Sequence, residues 1–171
     1  MKLQPLFVIG FSAVYLSTFF LLAPSYASPW LSLLLIMPLV WLSVTDLSAR
    51  IIPDTACAVV AVVGLTEMAE DPGRLAMTAL VAGAVVAILA FAGYVYWKAR
   101  GGEALGLGDA KLIGAGILVV GVGATWLMLL LGSIGGIIAG LFDRRTGHEG
   151  VPFGPFLAYS IFITYLLAGP Q

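Results

Sequence analysis

The sequence predicts an all-α membrane protein, a polytopic bundle of about seven transmembrane helices. Of its 171 residues, 61% are hydrophobic before the 21 glycines are counted, and only 10% are charged. A soluble domain is roughly 45–50% apolar with glycine included and about 25% charged, so this composition cannot supply a water-facing surface. The apolar residues also form long runs, and a spanning helix needs about 20 such residues. We therefore expect one integral-membrane domain over 1–171, in contact with the lipid bilayer.

The apolar runs predict seven spans in order, because each run is separated from the next by a charged or Pro/Gly-rich break. The fifth run is short, since a full span needs about 17 or more residues. It is either re-entrant, which leaves six crossings, or shares a broken helix with the sixth run around Gly121-Val122-Gly123. The predicted spans are 4–23, 29–45, 55–69, 75–97, 110–121, 124–142 and 153–169.

The beginning of the first run also resembles a signal peptide. Lys2 precedes it, and Ser25-Tyr26-Ala27 after it looks like a small-residue cleavage site. The run is longer than the usual h-region of 7–15 residues, so we expect it to be retained as a span.

The basic residues predict the orientation, because cytoplasmic loops carry an excess of Lys and Arg. With seven spans and a cytoplasmic N-terminus, seven of the eight basic residues fall on the cytoplasmic side and only Arg74 falls outside. The C-terminus is then outside. The seven are Lys2, Arg50, Lys98, Arg100, Lys111, Arg144 and Arg145.

Composition excludes several kinds of function. A formal net charge of −1 argues against a nucleic-acid partner bound through a basic field. The chain has one cysteine, Cys57, and one histidine, His148, which excludes a CxxC zinc site and an HExxH metalloprotease helix. The sequence around Ser133 matches no serine-protease motif. We expect neither a metal nor a cofactor.

Two of the nine acidic residues differ from the rest. Asp46 directly follows the apolar run 37–45, and Asp109 lies where a glycine-rich approach meets the fifth span. Both fall at the predicted cytoplasmic edge, where a carboxylate is costly to leave unpaired and is a functional candidate by default. Spacing alone leaves open whether they form a pair or are two unrelated interfacial carboxylates, each satisfied by local hydrogen bonds.

A pair of adjacent carboxylates has a specific chemistry. Both cannot ionise easily, so the pair shares a proton. One carboxylate takes a proton from an attacking water while the other hydrogen-bonds the substrate carbonyl. Asp46 and Asp109 together thus predict aspartic-type peptide hydrolysis, although the sequence does not say which is the base.

The residues around Asp109 fit such a site. Gly106 and Gly108 allow backbone geometry closed to other residues and the close approach of a substrate strand. Lys111 is two positions beyond Asp109, so on a helix it points to a different side. It either extends to the membrane interface, or tunes the acidic pair or contacts the substrate.

Three segments, taken in order, resemble the type IV prepilin leader peptidases, which are intramembrane aspartic proteases of the G-x-G-D type. They are Asp46-Leu47-Ser48-Ala49-Arg50-Ile51-Ile52-Pro53-Asp54, Gly106-Leu107-Gly108-Asp109-Ala110-Lys111-Leu112 and Val151-Pro152-Phe153-Gly154-Pro155-Phe156-Leu157-Ala158. The resemblance covers 37–169, the expected catalytic region. It implies that Asp46 and Asp109 are the catalytic pair. Pro53, Pro152, Gly154 and Pro155 are then supports of the site, since proline is tolerated in the first turn of a helix.

The resemblance implies cleavage of a short basic leader from pilin-like precursors at the cytoplasmic face of the inner (plasma) membrane. Larger relatives carry a cytoplasmic domain with paired CxxC motifs, linked to methylation of the new N-terminus. The predicted loop 23–28 is too short for such a domain. We therefore expect a peptidase-only form similar to those serving tight-adherence (Flp-type) pili, and archaeal preflagellin peptidases are close relatives.

The alternative function is a small transporter or channel whose two aspartates carry protons or bind a cation. Their position at the membrane edge argues against it, because transporter sites usually lie near the bilayer midplane. The sequence identifies neither the precursor nor the oligomeric state.

Overall fold

A computed structural model describes residues 4–22, 28–101, 106–143 and 152–169. Every regular element within these ranges is a helix, so the predicted all-α class is confirmed. Lys2, Ser25-Tyr26-Ala27, Arg144, Arg145 and His148, on which predictions above rest, lie outside the described residues. The helices are α1 (Gln4–Leu22), α2 (Pro29–Ala49), α3 (Asp54–Glu67), α4 (Pro72–Arg100), α5 (Leu107–Asp143) and α6 (Gly154–Ala168).

The ends of the helices follow from local chemistry. Helices α2, α4 and α6 each have a proline in the first turn, where its missing N–H costs no hydrogen bond. Asp71 caps α4 by accepting the backbone N–H of Arg74 at 3.1 Å. At their other ends, α2 and α4 stop at Arg50 and Gly101, both in the left-handed conformation.

Helix α5 is a helical hairpin, not one straight rod. Gly121 interrupts it with φ 79° and ψ 170°, a backbone conformation that is essentially confined to glycine. The backbone of Gly116 lies so close to Met128 that an added Cβ would be 2.6 Å from its sulfur. In a straight helix, residues twelve apart are separated by about 18 Å. The chain therefore folds back at the predicted interruption, into segments 107–120 and 122–143.

Counting α5 as two segments, the described residues form seven helical segments, and each overlaps one of the seven predicted spans. Among the described residues, α1, α2, α4 and α5 contain stretches long and apolar enough to cross a membrane. Helix α6 is apolar but shorter. The number of crossings and the orientation of the N-terminus stay predictions.

Glycines bring the other helices close to α5. Gly64 of α3 packs on the backbone of Leu118 and Val119 in the first segment. Gly114 of that segment packs on Val86 of α4. In the second segment, Gly132 and Gly135 face Ser160 and Phe156 of α6, and Gly136 faces Phe153, the N-cap of α6. Small residues of this kind let helix backbones approach closely in lipid.

Helix α6 is deeply buried and packs against α1, α2 and α5. Leu157, Ala158, Ile161 and Phe162 on it are completely buried. Helix α1 meets it through Tyr15, whose ring packs edge-on against Phe162 at 5.0 Å between centroids. The first residues of α6 are thus held by neighbours on several sides, and this positions the site described below.

Gly64→Ala is expected to lower the free energy of unfolding by about 1–3 kcal/mol, the usual cost of overpacking. The new Cβ would lie 2.7 Å from the backbone nitrogen of Val119, so α3 must shift away from α5. Thermal unfolding in detergent micelles measures this. Gly83→Ala on α4 is the control, because nothing lies within 4 Å of its Cβ position. We expect it to be neutral or to gain up to about 1 kcal/mol from helix propensity. Equal unfolding temperatures for both variants would contradict the packing described.

Candidate active site

Asp46 lies in the last turn of α2 and its side chain is buried, with 6% of its surface exposed. Its Oδ2 accepts the backbone N–H of Gly154, the first residue of α6, at 2.9 Å. The N-terminus of a helix favours a negative charge, because its first N–H groups have no partner within the helix. The side chain of Arg50, one turn further along the chain, also interacts electrostatically with this carboxylate. Asp46 is therefore held by hydrogen bonding and charge at the beginning of α6.

Gly154 meets Asp46 so closely that no side chain fits between them. A Cβ at position 154 would lie 2.6 Å from Oδ2 of Asp46. On either side, Phe153 packs on Gly136 of α5, and Pro155 is buried in the first turn of α6. The segment 152–155, predicted as a support, thus touches both α2 and the second segment of α5.

Asp109 lies in the first turn of α5 and is half-buried. Its charge interacts with that of Asp46, so the fold brings the two predicted site carboxylates near each other. Gly106, just before the helix, faces Asp109, and a Cβ there would lie 3.4 Å from Oδ2. An acidic group at the end of α2 and one at the beginning of α5 therefore lie within reach of each other's charge.

Gly108 packs closely against another part of the same protein, the residue Ile52. A Cβ at this position would lie 2.9 Å from Cβ of Ile52, in the short connection between α2 and α3. The glycine is thus explained by packing between the connection and α5. The expected contact of Gly106 and Gly108 with a substrate strand stays a prediction.

Lys111 has a partner that neither sequence interpretation named. Its Nζ lies 2.7 Å from Oδ1 of Asp54, the first residue of α3. Pro53 is the N-cap of that helix, and its carbonyl accepts the N–H groups of Ala56 and Cys57 at 3.1 and 3.2 Å. Pro53 therefore begins the helix that presents Asp54 to Lys111.

Sequence reasoning missed several neighbours of the site, namely Arg50, Ile52 and Asp54. Cys57, the one cysteine of the sequence, is buried, with 6% of the residue exposed. Cys57 also lies near enough to Asp54, Lys111 and Asp109 for their charges to act on it. Asp54 and Cys57 are one helical turn apart in the sequence, and this spacing could have indicated that the two lie on the same face of α3.

Among the described residues, no three His, Cys, Asp or Glu side chains form a group able to hold a metal ion.

Two neighbouring carboxylates at the ends of two helices have the chemistry of an acid–base pair. Their mutual repulsion favours a single shared proton, and a water between them can lose a proton to one while the other donates a hydrogen bond. The pair requires no third residue for this.

A model of the type IV leader peptidase family matches residues 33–141. This chain belongs to that family. The matched range contains α2 with Asp46 and the first turn of α5 with Asp109, and membership implies a peptidase. Comparison with curated proteins and with solved structures finds no match. The first residues of α6, which hold Asp46, lie beyond the matched range.

Gly154→Ala is expected to cost about 1–3 kcal/mol in the free energy of unfolding, because the new methyl displaces the Asp46 carboxylate. The measurement is thermal unfolding of four proteins: wild type, Gly154→Ala, Asp46→Ala and the double variant. In the Asp46→Ala background, the Gly154→Ala change should lower the free energy of unfolding clearly less than it does in wild type. The reason is that the effects of substituting two residues in contact do not add.

Gly140→Ala is the control, because nothing lies within 4 Å of its Cβ position in α5. Additive costs at positions 46 and 154, or an equal loss in the control, would contradict the contact.

Proposed function

We propose that this protein is an aspartic-type endopeptidase that removes the basic leader from pilin-like precursors at the cytoplasmic face of the plasma membrane. The observation that carries the proposal is that Asp46 and Asp109 lie near enough for the charge of one to act on the other, in a chain of the type IV leader peptidase family. The neighbouring carboxylates account for acid–base catalysis, and the family indicates that the reaction is peptide hydrolysis.

The proposed reaction uses one water molecule between the carboxylates. The ionised aspartate takes a proton from this water as the oxygen attacks the scissile carbonyl. The protonated aspartate donates a hydrogen bond to the carbonyl oxygen, where negative charge develops. Collapse of the tetrahedral intermediate breaks the C–N bond, and the leaving amine receives a proton from the pair. The Gly154 N–H keeps Asp46 oriented throughout, because it occupies Oδ2.

The location of the pair suits a precursor whose scissile bond lies next to an apolar helix. Asp46 lies in the last turn of a 21-residue apolar helix, and Asp109 lies in the first turn of another. Such positions lie near the boundary between hydrocarbon and water, where an apolar helix and a hydrated leader meet. We assign the membrane face that carries the two aspartates to the cytoplasm, because the predicted loops on that face contain an excess of basic residues.

Membership of a peptidase family gives no support to the alternative of proton or cation translocation. Both aspartates also lie at helix ends, whereas transporter sites are typically built from interrupted helices at the midplane.

Asp46→Asn and Asp109→Asn are each expected to reduce cleavage at least about a hundredfold, because an amide cannot exchange the proton. The assay uses proteoliposomes containing the purified protein and a precursor with a short basic leader, a glycine at the cleavage site and an apolar helix. Mass spectrometry of the product detects loss of the leader. Either variant cleaving at near wild-type rate would overturn the proposed pair.

Asp71→Asn is the matched control, since asparagine also caps helices well and Asp71 begins α4 away from the pair. It should cleave like wild type. A wild-type protein that moves protons across the same proteoliposomes but leaves the precursor intact would favour the alternative function.

A further inference from the structure

The beginning of α5 makes two contacts, one with the connection between α2 and α3 and one with the first residue of α3. Gly108 packs against Ile52, within that connection. Three residues further on, the Nζ of Lys111 lies 2.7 Å from Oδ1 of Asp54, where the connection enters α3. The segment that follows Asp46 along the chain is therefore in contact with the helical turn that carries Asp109.

The Lys111–Asp54 ion pair is open to solvent, with 46% of the lysine side chain and 73% of the aspartate side chain exposed. Exposed pairs contribute little to the free energy of unfolding. The ion pair has a geometric effect instead. Because it ties Lys111 to the first residue of α3, it limits rotation of the beginning of α5 about the helix axis. That rotation sets the direction in which the Asp109 side chain leaves the helix.

The alternative roles of Lys111 fit the contacts less well. Its ammonium group is occupied by a carboxylate outside the candidate pair, at the beginning of a different helix. It reaches that partner at 2.7 Å, the length of a charge-assisted hydrogen bond, instead of extending freely toward the membrane interface.

We propose that Asp54 and Lys111 are a positioning pair that holds Asp109 against Asp46. This inference rests on the proposed function, since precursor cleavage is its readout. Neither residue takes part in the chemical step. Their ion pair sets the geometry of the carboxylates by tying the first turn of α5 to the first turn of α3.

The test is a double-mutant cycle of Lys111→Met, Asp54→Asn and the double variant, in the proteoliposome cleavage assay described above. Each single change should lower kcat about tenfold or more with KM nearly unchanged, because a misplacement of about 1 Å can cost ~100-fold in rate. The double variant should be no slower than the slower single variant, since the pair is already broken. Lys111→Arg keeps the charge and should retain most of the wild-type kcat.

Lys98→Met is the matched control, because it removes the same charge from an exposed position near the end of α4. It should leave kcat within about twofold of wild type. All assays are run below the unfolding temperature of each variant. Loss of rate through KM alone, additive losses in the cycle, or failure of Lys111→Arg to restore kcat would each overturn the positioning pair.

The aspartate variants separate the two possible failures. If Asp46→Asn and Asp109→Asn still cleave, the proposed function is wrong. If they are inactive while Lys111→Met and Asp54→Asn keep full kcat, the peptidase proposal stands and only the positioning pair is wrong.

Discussion

The hydrogen bond from the Gly154 N–H to the Asp46 carboxylate is the contact on which the rest of the site depends. A buried carboxylate without a partner is costly, and more so at the edge of a membrane. Here the partner is the beginning of α6, 108 positions further along the chain. The bond therefore joins the end of α2 to a largely buried helix that also packs on α1 and α5. Any displacement of α6 would also displace one of the two carboxylates.

The glycines of α5 make that arrangement possible. Lipid supplies no hydrophobic force between helices, so association depends on close van der Waals contact. Gly132, Gly135 and Gly136 let α6 lie directly against the second segment of α5, while Gly64 lets α3 lie against the first. Since Asp109 is at the beginning of α5 and Asp46 is bonded to the beginning of α6, this packing also determines where the two carboxylates lie relative to each other.

The two carboxylates have different surroundings. Asp46 is almost fully buried and bonded to a helix N-terminus, whereas Asp109 is half-buried and faces the backbone of Gly106. The short connection from Arg50 to Pro53 contacts α5 through Ile52 on Gly108, and the first residue of α3, Asp54, contacts it through Lys111. Residues of all three motifs that resemble the family therefore make contacts at the candidate site.

The sequence by itself determined the helical class, the position of each helical segment and the break in α5, because these depend on local composition and on which residues interrupt an apolar run. It also singled out Asp46 and Asp109, because so few acidic residues lie at the edge of an apolar run. It left open whether those two meet, and it named no partner for Lys111. Only the tertiary structure shows the contacts around them: the reversal at Gly121, the bond from Gly154 and the Asp54–Lys111 pair join residues far apart in the chain. Such contacts are set by how whole helices pack, and no local pattern encodes that packing.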